Sequence, residues 1–453
     1  MIVMKFGGTS IKTVDDIHRI ISIIRRHRDE TPVVVISAFA RVTNNLEKIA
    51  YLAGQKKTND AHTTSRELFH KHEQIAGTLL SKERKKIFTS EAENYSYQLN
   101  QLIDGLSLVG EITPRTIDQF SSYGERLSSL LFTLILQEQE IPAELIGVER
   151  YLYTSNDFSR AVPIFEEVEE NIQSTFQPVL SKGFIPVTPG FIGVTKRGIW
   201  TTMGRESSDY TATLIGAYLQ AKEVQLWKEV EGIRSADPDI LSDTIPVERL
   251  SYSEALELAN LGAKVLHPRT IIPVINQGIP IRVLSSRLQS TGQTFITADA
   301  VATGVKSVTY KKDIALIRIS APYQANGDIH LSNINQYIRS LPFDMHLTLQ
   351  VGSETVVLID AKYITEDILS SLKRYGEIDY ISDAALVGIV GESIGSTPDY
   401  GVQFAEALKG ISKGVLLSGA SSRSVCAVVP DSESLKLVGK LHERYFFSHQ
   451  TTH

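Results

Sequence analysis

The chain has 453 residues, a single cysteine and a formal net charge of −6, from 46 basic and 52 acidic side chains. One thiol excludes an intrachain disulfide and any C-x-x-C zinc or redox motif, and the mild acidity argues against a nucleic-acid footprint. With 42% hydrophobic and 22% charged residues the composition is globular, and the length corresponds to about three domains. Met1 to Phe6 is too short an apolar run, and too soon followed by glycines, to act as a signal peptide. The longest apolar stretch, Leu130 to Leu136, falls far below the roughly 20 residues of a membrane span. Asn94-Tyr95-Ser96 then matches a glycosylation acceptor by chance, and a cytoplasmic location is expected.

Ile2 to Phe6 reads as a short strand stopping at Gly7-Gly8. Ile17, Ile20, Ile21 and Ile24 follow with the spacing of one buried helical face. Val33 to Ile36, after Pro32, is a continuous β-branched run of the kind found in parallel sheets covered on both faces. Residues 58–100 are rich in Lys, Glu, Gln and Ser, which predicts a solvated helical insertion. His70 and His72 lie on different faces of that helix and do not share a metal site. Helical spacing returns at Leu127, Leu130, Leu131 and Leu134, and at Ala212, Ile215, Gly216 and Leu219. Ile185 to Val187 and Val224 to Trp227 are strand candidates, so an α/β layer fold accounts for residues 1–285. After Arg287, strand runs at Ile314 to Ile319, Thr355 to Ile359 and Cys426 to Val429 bracket helices at Leu331 to Leu341 and Tyr400 to Leu408. They predict two α+β units of roughly seventy residues, a weak internal repeat whose second copy begins near Ile381.

Chemistry concentrates in four segments. Lys5-Phe6-Gly7-Gly8-Thr9-Ser10 lies between strand and helix, where adjacent glycines open backbone N–H groups to an anion and Lys5 adds a full charge. A ligand-free tight turn would carry the same residues. Met203-Gly204-Arg205-Glu206-Ser207-Ser208-Asp209 offers a planar guanidinium for a carboxylate, although Ser208 or Asp209 also suits a helix cap. Glu125, in Ser122-Tyr123-Gly124-Glu125-Arg126, suits a substrate ammonium or the helix dipole, and taken alone the dipole is favoured. Lys264, in Gly262 to Pro268, suits a phosphate or plain surface charge. His267 and Cys426 are expected to be core or helix-end residues without chemistry.

In combination the motifs are far more specific. Lys5 to Ser10, Ser37 to Thr43 before a helix, Gly124-Glu125, Gly204-Arg205-x-x-Ser208-Asp209 and Gly262 to Pro268 occur in that order. The chain closely resembles the aspartate kinases of the amino-acid kinase family, and its tail resembles their paired ACT regulatory domains. The resemblance implies a catalytic domain over 1–287, with an aspartate-side N-lobe and a nucleotide-side C-lobe, then ACT-like domains at 300–380 and 381–450. It implies transfer of the γ-phosphoryl of ATP, as a magnesium complex, to the side-chain carboxylate of L-aspartate, a monofunctional enzyme, feedback by lysine or threonine, and a homodimer through the ACT domains. Lys5 and Asp209 would be catalytic; Ser37, Thr43, Glu125, Arg205 and Ser208 would hold aspartate. Lys5, Gly7, Gly8, Lys228, Glu229, Arg234 and Lys264 would face the nucleotide.

The departures gather on the nucleotide side. Lys228-Glu229 stands where the family has Thr-Asp, Arg234 where it has tyrosine, and Asp239 where arginine follows Asp-Pro. Glu206-Ser207 replaces a common Gly-Gly. Altered adenine or ribose contacts are therefore expected, with phosphoryl transfer kept. The first regulatory unit lacks the usual effector-loop wording at Ser320 to Asp328. Two other readings remain open: a related kinase acting on another acid such as glutamate, and a non-catalytic amino-acid sensor with a decayed nucleotide site.

Overall fold

In a computed structural model the chain is described at residues 1–204, 207–263, 266–287, 292–299, 303–320, 327–341 and 345–447. Met1–Ile233 with Leu266–Ala298 form one compact unit, and Arg234–Val265 with Asp299–His453 form a second. In this division the segment 234–265, inside the expected 1–287 domain, counts with the C-terminal half.

The first unit begins β1 (Ile2–Phe6), α1 (Val14–Arg26), β2 (Pro32–Ile36), α2 (Val42–Gly54), α3 (Thr58–Leu79), α4 (Lys82–Val109) and α5 (Pro114–Glu138). It continues with β3 (Ala143–Leu145), α6 (Phe165–Ser181), β4 (Ile185–Pro189), β5 (Ile192–Val194), β6 (Trp200–Thr202), α7 (Ser207–Tyr218) and β7 (Val224–Lys228). β8 (Ile233–Arg234) ends this stretch; β9 (Pro246–Val247), β10 (Arg249–Ser251) and α8 (Tyr252–Asn260) count with the second unit, and α9 (Pro268–Ile275), β11 (Ile281–Ser285) and β12 (Gln293–Thr297) complete the first. Its central sheet has the order β12-β11-β7-β1-β2-β4-β3. β1 pairs in parallel with β2 and β7, and β12 alone among these runs antiparallel, against β11. Every residue of β1 and β2 is buried, as a strand covered on both faces demands. Thr13 and Asp16 close a capping box on α1, and its isoleucine stripe is buried as the periodicity predicts.

The helical insertion is less solvated than its composition suggests. Leu68 and Phe69 of α3, and Phe88, Leu99 and Ile103 of α4, join the same core as β1 and β2. His72 is fully buried and stacked on Phe39, and burial lowers its pKa to about 4, so it is a neutral core residue. Among the described residues no helix is long and apolar enough to cross a membrane.

The second unit carries β13 (Gly304–Ser320), α10 (Gly327–Ser340), β14 (Leu347–Val351), β15 (Glu354–Asp360), α11 (Glu366–Leu372), β16 (Glu377–Glu392), α12 (Pro398–Ala407), β17 (Val415–Ser418), β18 (Ser424–Pro430) and α13 (Asp431–Phe446). These form a six-stranded antiparallel sheet in the order β14-β15-β13-β16-β18-β17. Two hydrophobic cores lie along it. One gathers Ala315, Ile317, Ile334, Ile338, Val357 and Ile359; the other gathers Val308, Val387, Ile389, Phe404, Val425 and Leu437. The two-module pattern is thus present, but with a different division. β13 and β16 each run through both modules, and two of the three register shifts of their ladder fall between, beside the positive φ of Asp313. Val308 belongs to the second core although it precedes the first module in sequence.

Shared strands make the two cores one cooperative unit. Ile317→Ala, which empties a fully buried site in the first core, should cost about 2–5 kcal/mol. Hydrogen exchange should speed up in β18 as well as in β15; acceleration confined to β15 would mean independent modules.

Candidate active site

The C-terminal ends of parallel strands leave a crevice where an α/β sheet binds ligands. β1 ends there at Phe6, and the chain turns through Gly7 and a short 3-10 helix, Gly8–Ser10. The Gly7 N–H donates to the Trp227 carbonyl (3.3 Å), which sets this turn beside the end of β7. A Cβ on Gly8 would lie 2.4 Å from the Ala38 carbonyl oxygen, so only glycine fits; one on Gly7 would sit 3.4 Å from the Lys5 ammonium.

Lys5 is buried at the end of β1, with its Nζ 2.6 Å from Asp209 Oδ1. Asp209 lies in the first turn of α7, and Lys228, at the end of β7, places its Nζ 2.8 Å from the other oxygen. Burial alone would raise the pKa of Asp209, but Lys228 and Lys5 outweigh it and hold the carboxyl at about 2. Just past the end of β7, Glu229 pairs with Lys12 at 2.6 Å.

Glu125 projects from α5 and is 3% exposed. Its Oε1 accepts from the Ala38 N–H at 3.2 Å, and its Oε2 is buried without a hydrogen-bond partner. Desolvation raises its pKa to about 8, against the pull of the Ala38 N–H and the Lys5 charge. Ser128, one turn on, donates to the Ser37 carbonyl (2.9 Å), so α5 is fixed to the Ser37–Thr43 turn twice. Ser37 is buried, and Thr43 is half-buried in the first turn of α2. Ser208 packs against Gly190, where a Cβ would come within 2.6 Å of its own.

The crevice therefore brings together Lys5, Gly7, Gly8, Ser37, Glu125, Ser208, Asp209, Lys228 and Glu229. Arg234, which belongs to the second unit, donates to the hydroxyl and the carbonyl of Thr244. Arg205, Glu206 and Lys264 lie outside the described residues, as do Ala321 to Asn326 of the expected effector loop. His267 caps α9, accepting from the Arg269 N–H, and Cys426 is buried in β18.

Two supports escaped the sequence analysis. Asp118, fully buried on α5, accepts from the N–H and hydroxyl of both Ser159 and Thr202, at 2.7–3.2 Å. This pins β6, and with it the start of the Gly204 segment, to the helix carrying Glu125. Arg126 sits over the rings of Tyr95, Tyr123 and Trp200 at 4.3, 4.9 and 4.5 Å, tying α4, α5 and β6 together. The signal was available: Asp118, Ser121, Ser122, Glu125, Ser128 and Ser129 form a polar stripe at helical spacing on a buried helix.

Residues 1–285 match the Amino acid kinase family, and the chain belongs to that family. It is 28% identical over 461 residues to lysine-sensitive aspartokinase 3 of Escherichia coli, covering 98% of this chain and 99% of that protein. Chloroplastic aspartokinase 1 of Arabidopsis thaliana is 26% identical, covering 98% and 80%. The crystal structure of E. coli aspartokinase III with aspartate and ADP, in its R-state, superposes with a TM-score of 0.89 at 26% identity. That match covers 98% of this chain and all of the other; the T-state structure with lysine and aspartate gives 0.73 over 98% and 99%.

Asp118→Ala would leave the two buried donors of Thr202 without an acceptor, each a loss of about 1–3 kcal/mol before relaxation, and would free the two donors of the exposed Ser159. We expect marked loss of thermal stability and a raised KM for the acceptor substrate. Unchanged melting would remove Asp118 from this supporting role.

Proposed function

We propose that this chain is an aspartate kinase, transferring the ATP γ-phosphoryl group to the side-chain carboxylate of L-aspartate. One observation carries the reading: a buried lysine held by Asp209 at a glycine turn, facing the same crevice as a buried carboxylate oxygen, Glu125 Oε2, that lacks a partner. The first suits a transferring phosphoryl group; the second suits an ammonium.

The acceptor carboxylate, with an ordinary pKa near 3.9, is ionised at neutral pH and needs no general base. Its oxygen attacks the γ-phosphorus, the bond to the β–γ bridging oxygen breaks, and ADP leaves as the acyl phosphate forms. The task is bringing one anion onto another, so positioned cations do the work. Asp209, held at about 2, is ionised at neutral pH and is a poor proton acceptor. It organises the lysines instead. Magnesium arrives with ATP as part of the substrate complex.

Glu125 takes the aspartate ammonium, and Ser37, Thr43, Ser208 and Arg205 complete the acceptor pocket, Arg205 as the clamp on the α-carboxylate. Gly7, Gly8 and Lys264 serve the nucleotide phosphates. The second unit supplies amino-acid feedback, with lysine the first effector to try and threonine the second, and joins two chains into a homodimer. The reaction belongs in the cytoplasm, where ATP and aspartate are supplied.

With Mg-ATP, saturating aspartate and hydroxylamine, aspartyl hydroxamate should accumulate, and Lys5→Ala should reduce it at least about 100-fold. No hydroxamate from the parent protein would sink the proposal; glutamyl hydroxamate in its place would reassign the acceptor.

Glu125 yields a pH test. Its folded pKa, about 8, lies above the ordinary 4.5, so the native state binds the extra proton and its stability declines as pH rises between those values. Glu125→Gln should therefore melt above the parent at pH 8, with the difference vanishing near pH 5, while aspartate affinity falls at least tenfold. In the parent, aspartate should bind more tightly at pH 8 than at pH 6, releasing a proton. A Gln variant that keeps its aspartate affinity would contradict the ammonium role.

A further inference from the structure

The turn that follows β4 touches both halves of the acceptor pocket. β4 ends at Pro189, and the Gly190 N–H donates to the Ile36 carbonyl (3.0 Å), which fixes the turn to the residue before Ser37. Two residues on, the Ile192 N–H donates back to the Gly190 carbonyl at 2.7 Å. The three-residue turn so closed has Phe191 at its middle, with a φ of 65°. A turn of this hand is rare and strained, and a bulky residue gains nothing from a left-handed backbone. Such strain persists only where the surroundings impose it, and it gathers at ligand sites.

Here the surroundings are the Gly204–Asp209 segment. The Phe191 carbonyl accepts from the Met203 N–H at 3.0 Å, just ahead of that segment. Beyond Glu206, the Ser207 hydroxyl donates to the Gly204 carbonyl at 2.6 Å and lies 3.4 Å from the same Phe191 carbonyl. One carbonyl therefore stands between the two ends of the loop that contains Arg205. Beside it, a Cβ on Gly190 would lie 2.6 Å from Ser208 Cβ, 2.8 Å from its Cα and 2.9 Å from its Oγ. Gly190 has no left-handed φ, so close approach and not backbone freedom requires the glycine. The opposing Cα belongs to the first turn of α7, so any larger residue must push the helix that carries Asp209.

We propose that the Gly190-Phe191 turn is a positioning element for the acceptor substrate. Gly190 sets how closely Ser208 approaches the sheet, and the Phe191 carbonyl fixes the ends of the Arg205 loop. This role rests on the aspartate-kinase reading above, in which Ser208 and Arg205 hold the acceptor.

Gly190→Ala should raise the aspartate KM about 10- to 100-fold, the usual cost of moving a binding group by about 1 Å. Mg-ADP affinity, read by calorimetry without aspartate, should stay within about threefold. Adding Ser208→Gly to that variant removes two of the three opposing atoms and should return part of the lost kcat/KM. Equal losses for aspartate and Mg-ADP would mean a general loosening of the unit, and an unchanged aspartate KM would mean that the turn positions nothing. Either result overturns the proposal. Should Gly190→Ala fail to fold, a pair of variants at Phe191 supplies a second measurement. Phe191→Gly and Phe191→Ala remove the same ring and differ chiefly in the cost of a positive φ. Phe191→Gly should melt higher, protect the Met203 amide better from hydrogen exchange and bind aspartate more tightly than Phe191→Ala. Equal melting and equal protection would show that the turn is unstrained, and would overturn the proposal. A parent that forms no hydroxamate would fail the acceptor reading alone, because protection of Met203 reports on the turn without substrate.

Discussion

The site depends on one buried carboxylate. Asp209 draws Lys5 from the end of β1 and Lys228 from the end of β7 onto its two oxygens, at 2.6 and 2.8 Å. Burying such charges costs several kcal/mol per ion, and the attraction returns that cost only while every partner is present. Loss of Asp209 would leave two buried ammonium groups side by side. The arrangement is therefore weak support for the fold's stability but a strong constraint on where α7, β1 and β7 end.

Glu125 is governed by the opposite balance. Desolvation dominates its environment, and the Ala38 N–H and the distant Lys5 only partly offset it. The ligand-free protein stores a neutral acid with an unpartnered oxygen, a local instability that a substrate ammonium would relieve. The polar stripe of α5 makes this tolerable. Asp118 and Ser128 fasten the helix to the two segments it must register against, and Arg126 is clasped by three rings.

Much of this was legible in residue order. The isoleucines of α1 and the valines of β2 announce their elements, because burial against a two-faced sheet leaves no polar alternative. The glycine turn, Glu125 and Asp209 were identified as site residues from their motifs. What failed to show was pairing across long separations. Nothing near Lys228 says that it meets an aspartate on a neighbouring helix, and nothing near Arg234 announces its bonds to Thr244. The charge of residues 58–100 hid a buried face, since composition averages over a helix whose two sides differ. The boundary near 381 was misplaced because β16 is one continuous strand serving two cores, and a repeat in sequence carries no mark of a shared strand.

As a permanently ionised counter-ion rather than a proton acceptor, Asp209 should not titrate in the working range of the enzyme. Carbon-13 NMR of aspartate side-chain carboxyls, with the Asp209 signal assigned by Asp209→Asn, measures this directly. A midpoint near 2, with no titration of that signal between pH 5 and 8, is the predicted result. A midpoint above about 5 would contradict it, since a carboxyl holding two lysines cannot retain its proton so far above the ordinary range.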